Sequence, residues 1–171
     1  MTNCTLKPLS PQACDRSQSH ILDSFDYHNV RGVREKAILN QTLTDGKNGN
    51  TKIFCLTDST GEITGKLGIV ALSVGRLELD DKPFPIVRID YLFVDNKHRK
   101  EVYPHLGDKA SRILLIYAIQ SAVRIAEIAG VRYLMLSPDG GREHTNLITF
   151  YESMKFKYLS PHHDWMCLKL N

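Results

Sequence analysis

Apolar residues recur along this chain with two different periods, and the change from one to the other marks out its elements. A short apolar start, Leu6 to Leu9, precedes Pro11, a residue suited to the first turn of a helix because its missing N–H has no partner there. The apolar positions Ala13, Ile21, Leu22 and Phe25 follow with loose helical spacing. Val33 to Leu43 gives a second helical pattern, with Val33, Ala37 and Ile38 expected on one side, ended by the turn-forming run Asp45-Gly46-Lys47-Asn48-Gly49-Asn50. The period then shortens to that of strands. Lys52 to Leu56 predicts a strand, Asp58-Ser59-Thr60-Gly61 its turn, and Ile63 to Val74 a longer strand that Gly65 and Gly68 bend or bulge. Pro83 and Pro85 lack the amide that a ladder needs and so exclude Lys82 to Pro85 from a central strand, whereas Ile86 to Val94, rich in β-branched and aromatic residues, predicts one.

From Asp108 to Ala129 the pattern is helical: Leu114, Ala118, Ala122, Ile125 and Ala129 recur every three or four residues, and Gly130 is a natural stop. Val131 to Leu136 then predicts a short strand, Asp139-Gly140-Gly141 a turn, Thr145 to Met154 a helix, and Phe156 to Leu159 and Trp165 to Leu170 closing strands. A strand, a long helix and a strand make a βαβ unit. With antiparallel strands before and after it, the fold class is α/β with α+β character: a mixed, mostly antiparallel sheet with a central βαβ unit flanked by helices. Ligands of such sheets gather at the carboxyl ends of the strands, which points to Val94 onward and to the segment after Leu136.

Length adds a bound. A chain of 171 residues fits one compact domain, residues 1–171, and ordinary usage of hydrophobic (42%) and charged (24%) residues excludes disordered, collagen-like and coiled-coil classes. The stretch Cys4 to Ser19 is polar, and no run approaches the roughly 18 apolar residues of a membrane span, so a cytoplasmic location without membrane contact is expected. Cys4, Cys14, Cys55 and Cys167 lack metal-binding spacing and read as reduced thiols, some of them in the core. His162, His163 and Asp164 are expected in solvent, and no metal site is expected. Net charge is only +3, but Lys97, His98, Arg99 and Lys100, then Lys109 and Arg112, concentrate positive charge in one segment, either a solvated loop or an anion site.

Two motifs carry a family resemblance. Ile89-Asp90-Tyr91-Leu92-Phe93-Val94-Asp95 followed by Asn96-Lys97-His98-Arg99 resembles the strand and loop of the GNAT acetyltransferases: a hydrophobic strand, Val-Asp, three residues, then Arg or Gln. Phe150-Tyr151-Glu152-Ser153-Met154-Lys155-Phe156 resembles the same superfamily's Phe-Tyr-Glu-x-x-Gly-Phe. Together they span roughly Ile86 to Leu159. The family's loop continues Arg-Gly-x-Gly-x-Gly into the helix, whereas here Lys100 to Leu106 separate Arg99 from Gly107. Aligned on Leu114-Leu115, the glycine places fall on Gly107, Lys109 and Ser111; Lys155 replaces the glycine before Phe156, and His144 stands where many relatives have asparagine.

The resemblance implies transfer of an acetyl or other acyl group from coenzyme A to a primary amine. Acetyl-CoA, or another acyl-CoA, is the cofactor it implies. The pyrophosphate would meet the free N–H groups at a helix start, where Gly107, Ala110 and Ser111 allow close approach and Lys109, Arg112 and Arg99 supply charge. The peptide-like pantetheine arm would bind the edge of Leu92, Phe93 and Val94. By motif position Tyr151 is the acid that protonates the departing thiolate, and Asp90 a base or water-orienting group. The block Arg124 to Met135 and the helical start are similar to the toxin branch of the superfamily, whose members acetylate aminoacyl-tRNA and are held by an antitoxin. That likeness names tRNA and an antitoxin as partners; a protein or small amine is the other acceptor, and a homodimer is a further possible assembly on which the sequence is silent. A GNAT-shaped binding module without acetyl-CoA-dependent catalysis is the alternative from a different class.

Overall fold

The computed structural model describes residues 4–58, 65–79 and 81–170. In chain order its elements are β1 (Cys4–Leu9), α1 (Pro11–Arg16), α2 (Gln18–Asp23), α3 (Gly32–Lys47), β2 (Lys52–Asp58), β3 (Gly65–Leu79), β4 (Lys82–Val94), α4 (Ala110–Ala129), β5 (Tyr133–Leu136), α5 (Thr145–Ser153), β6 (Lys157–Tyr158) and β7 (Met166–Lys169). The strand order is β1-β2-β3-β4-β5-β7-β6; β4 and β5 are parallel, while β1-β2, β2-β3, β5-β7 and β6-β7 are antiparallel. This is the mixed sheet that the sequence predicts, with β4-α4-β5 as its βαβ unit. Among the described residues no helix is long and apolar enough to cross a membrane, and no cluster of three His, Cys, Asp or Glu side chains could hold a metal ion.

Two compact units share these elements, because β3, β4 and α4 each run from one into the other. The first comprises residues 1–73 and 90–118. Its core is built from Cys14, Ile21, Leu22, Phe25, Leu39, Leu43, Ile53, Cys55, Ile69, Ala71 and Phe93, so two of the four thiols are indeed interior. Burial pushes the Cys55 thiol up to about 11, which keeps it protonated and inert at neutral pH. The second unit comprises residues 74–89 and 119–171 and buries Ile86, Val87, Ala122, Leu134, Met135, Leu136, Tyr151, Phe156 and Met166.

Several local expectations need correction. The first helical segment is two short helices, α1 capped by Ser10, whose hydroxyl accepts the Ala13 N–H at 3.1 Å, and the apolar start before it is an edge strand paired to β2. In α3 the inner face is Glu35, Leu39, Thr42, Leu43 and Gly46, whereas Val33 is 88% exposed and Ala37 faces solvent. Leu39 and Leu43 bring more apolar area to the core than Val33 and Ala37, and they turn the helix. Lys82–Pro85 is part of β4 despite its prolines. The ladder to β5 begins only at Ile86↔Tyr133, so on that side the proline stretch is an edge where a missing donor costs nothing. The turn expected after Asp58, Ser59 to Gly61, and the strand start at Ile63 lie outside the described residues. The bulge expected near Gly68 is present: Leu56 pairs with Gly68 but Thr57 with Lys66, which leaves Leu67 as the extra residue.

Candidate functional site

In the first unit the carboxyl end of β4 organises the surroundings. Phe93 points into the core, its ring 5.1 Å from Phe25 and 5.5 Å from Tyr27, and Val94 is buried beside half-buried Leu92. What these residues can offer a ligand is therefore main chain. The ladder from β4 to β5 ends at Arg88↔Met135, which leaves the remainder of β4 without a β5 partner on that edge. Gly68 makes the close packing of this strand end possible, since any Cβ there would collide with the Phe93 carbonyl oxygen and with Leu114.

Asp90 sits on the same strand with both oxygens engaged: the Ser73 hydroxyl donates to one at 2.9 Å and the Thr51 hydroxyl to the other at 2.7 Å. Asp95, the acidic residue of the Val-Asp pair, is buried and accepts the N–H groups of Lys97 at 2.9 Å and Asp26 at 3.1 Å. It fixes the short turn Asn96–His98 that follows the strand.

Arg99 is pinned rather than extended toward solvent. Its Nε donates to the Val94 carbonyl at 2.8 Å, its Nη1 and Nη2 donate to the two oxygens of Glu35 at 2.7 and 2.9 Å, and its guanidinium lies 5.2 Å over the Phe93 ring. Burial alone would raise the Glu35 carboxyl; the Arg99 hydrogen bonds, the His28 N–H and the charges of Arg99 and Arg31 outweigh it and hold the carboxyl below its ordinary value. Expected among the anion ligands, Arg99 instead joins α3 to the end of β4. Glu35 has no signal of its own in the sequence, because a glutamate in an amphipathic helix is by default a solvated one.

The loop after Arg99 closes on itself before α4. Tyr103 and Asp108 form an antiparallel bridge, with the Tyr103 N–H donating to the Asp108 carbonyl at 3.0 Å, and the Tyr103 carbonyl accepts the N–H groups of Leu106 and Gly107, both at 3.0 Å. Gly107 takes φ +67°, the left-handed conformation that glycine adopts without steric cost. The Asp108 carboxylate accepts the Lys109 N–H at 2.7 Å and pairs with Arg112 at 3.3 Å, so it caps the residue before the helix. No acidic residue stands in the first turn of α4, where Ala110 is buried, Ser111 half-buried, and Lys109 and Arg112 are exposed. The helix start thus keeps the positive end of its dipole, with exposed Lys109 and the Asp108-paired Arg112 beside it and small side chains, buried Ala110 and half-buried Ser111, in its first turn.

In the second unit Tyr151 lies in the last turn of α5, 7% exposed, with its ring 5.3 Å from Phe150 and 6.0 Å from Phe156. The helix stops there by a left-handed cap: Lys155 takes φ +71°, its N–H donates to the Glu152 carbonyl at 2.9 Å, and the Phe156 N–H donates to the Tyr151 carbonyl at 3.1 Å. This pattern is the physical content of Tyr-Glu-x-x-Gly-Phe, with Lys155 in the glycine's conformation. Burial, then the charge of Asp139, pushes the Tyr151 phenol up to about 12. His162, His163 and Asp164 are exposed, and Asp164 lies 3.7 Å from Arg142.

No family model and no curated protein sequence matches the chain. Solved structures do. AtaT complexed with acetyl-methionyl-tRNAfMet superposes with a TM-score of 0.73 at 17% identity, over 97% of this chain and 94% of that one. The chain has the GNAT fold. A tyrosine-to-phenylalanine mutant of KacT matches with a TM-score of 0.70 at 12% identity, over 98% and 95% of the two chains. A mutant AtaT toxin bound to the C-terminus of the antitoxin AtaR and acetyl-CoA matches with a TM-score of 0.66 at 16% identity, over 97% and 92%. The GNAT fold is therefore shared along nearly the whole chain although few residues are. In this chain the two sequence motifs lie at the end of β4 and at the stop of α5.

Proposed function

We propose that this chain, residues 1–171 acting as one domain, is an acyl-CoA-dependent N-acetyltransferase whose acceptor is the amino group of an aminoacyl-tRNA. The observation that carries the proposal is the start of α4: a helix N-terminus with no acidic residue in its first turn, with the small residues Ala110 and Ser111 there and exposed Lys109 and Arg112 beside it, following a loop held in one shape. Such a helix start suits a pyrophosphate. Gly107 leaves the backbone open on the loop side, and the main chain of Leu92, Phe93 and Val94 would pair with the pantetheine arm as an added strand would.

Tyr151 is the proposed acid. A phenol near 12 is protonated at every physiological pH, so it can donate to the thiolate as the carbon–sulfur bond breaks while the acceptor amine loses its proton to water. Asp90, with both oxygens accepting hydroxyl protons, is assigned a positioning role on β4. Arg99 holds the strand end rather than the anion. The tRNA acceptor rests on the likeness to AtaT, solved with acetyl-methionyl-tRNAfMet, and on exposed Lys97, Lys100 and Lys109. An antitoxin partner rests on the same likeness, through AtaT bound to AtaR.

Acetyl-CoA at about a hundred times its dissociation constant should raise the unfolding free energy by ~2.7 kcal/mol. Aminoacyl-tRNA should then gain an acetyl group, with binding that weakens steeply as salt rises. Absence of any thermal shift would favour a GNAT-shaped binding module; a shift with acetylation of free amines or peptides but not of aminoacyl-tRNA would move the acceptor to another class.

A further inference from the structure

The loop between Arg99 and α4 is longer than the glycine-rich turn of the resembling family, and a longer loop costs more conformational entropy to hold in one shape. Something must order it, and the ordering groups converge on one side chain. Tyr103 is buried although Glu101, Val102 and Pro104 around it are exposed. Its hydroxyl donates to the carboxylate of Asp58, itself buried at the end of β2. Its ring meets His98 edge-on at 5.2 Å and His105 at 5.8 Å, and its main chain makes the bridge to Asp108 and accepts from Leu106 and Gly107. The main-chain hydrogen bonds from Tyr103 to Asp108, from Leu106 to Tyr103 and from Gly107 to Tyr103 thus converge on Tyr103, and Asp108 in turn receives the Lys109 N–H at the doorstep of α4.

We propose that the Tyr103–Asp58 contact is the latch that presents the start of α4 to a diphosphate, so that Tyr103 is a positioning residue for coenzyme A. The inference rests on the acyl-CoA reading of this chain. In place of glycines that let a short loop wrap the anion, one aromatic anchor sets the pose of a long loop from below. A buried carboxylate is a costly acceptor to maintain, and a hydrogen bond to a charged group is stronger than a neutral one. Loss of the hydroxyl would leave Asp58 without that donor and release the loop while the ring remains packed.

The test is isothermal titration of wild type and Tyr103→Phe with coenzyme A and with pantetheine, which lacks the diphosphate. The expected result is a coenzyme A dissociation constant raised roughly tenfold in the variant and unchanged pantetheine binding, with faster amide exchange across residues 101–112. Asp58→Asn keeps an acceptor for the hydroxyl and should hold coenzyme A affinity within about twofold of wild type. If wild type binds coenzyme A and Tyr103→Phe binds it equally, the latch is refuted while the acyl-CoA reading stands. Equal weakening of both ligands also refutes it, because the role would then be structural support alone. If wild type binds neither ligand, the acyl-CoA reading fails and the latch with it. Should Tyr103→Phe fail to fold, Asp58→Ala, which removes the acceptor of the latch and leaves the loop and α4 residues unchanged, takes its place with the same two ligands and the same expected split.

Discussion

The main-chain N–H of Phe156 donates to the carbonyl of Tyr151 at 3.1 Å, and the two rings lie 6.0 Å apart, so the proposed acid and the residue that ends its helix are one local structure. The cap fixes the backbone at Tyr151 locally, while burial of its side chain, 7% exposed, is supplied by the surrounding core. The motif's spacing is therefore set by cap geometry first, and its chemistry depends on that geometry.

Lys155 occupies the left-handed position of this cap at φ +71°, where a side chain costs about 1–2 kcal/mol. Lys155→Gly removes that strain and adds back some unfolded-state entropy, so a net gain of up to about 1 kcal/mol is expected, equivalent to a rise of roughly 2–4 °C in Tm. Lys155→Ala should give no such gain. A thermal melt in which the glycine variant unfolds no higher than wild type would contradict this account.

Tyr151→Phe keeps the ring in its cavity and removes the proton. Turnover should fall by about 10²-fold or more with the acetyl-CoA dissociation constant little changed. The sign of the pH effect follows from the raised phenol. The group binds its proton more tightly folded than unfolded, so its contribution to stability is complete below its ordinary 10.0 and is lost as pH rises toward about 12. Activity should show no alkaline loss from this residue below about 10. An alkaline limb near neutrality that vanishes in the phenylalanine variant would assign the residue a different pKa and a different role.

The Glu35–Arg99 pair is two-pronged and largely shielded, with side-chain exposures of 11% and 22%. Glu35→Gln or Arg99→Met leaves one partner without its counter-charge and should cost about 3 kcal/mol, whereas the double replacement should cost less than the sum of the two. Because the Glu35 carboxyl is depressed in the folded chain, its contribution is present above the ordinary carboxylate range and disappears as pH falls through the folded value. Urea unfolding at neutral pH and at a pH well below the ordinary carboxylate range, about 2–3, should show the wild type losing more stability than Glu35→Gln on acidification; equal losses would remove the pair from the ledger of stabilising contacts.

Gly68→Ala places a methyl group against the Phe93 carbonyl oxygen, a main-chain atom that cannot rotate away, and against Leu114. A loss of about 1–3 kcal/mol is expected, together with weaker acetyl-CoA binding because the end of β4 must move. Unchanged stability would mean that β3 and β4 have more room than the packing indicates.

What the sequence settled by itself is what local chemistry settles. The period of apolar residues gave α4 and its stop at Gly130, whose φ of +64° suits a glycine; the glycine pair gave the turn at Gly140 and Gly141; and the motif around Tyr151 gave the helix end, since a cap is written in consecutive residues. The βαβ order followed from the succession of periods alone. Tertiary structure decided the rest. It chose Leu39 and Leu43 over Val33 as the inner face of α3, and it admitted Pro83 and Pro85 into β4, where the ladder to β5 begins only at Ile86 and needs no amide from them. It also turned Arg99 toward Glu35, and Tyr103 toward Asp58. Each of those outcomes depends on a partner dozens of residues away. Which distant groups meet is fixed by the packing of the whole core, and no window of neighbouring residues contains that information.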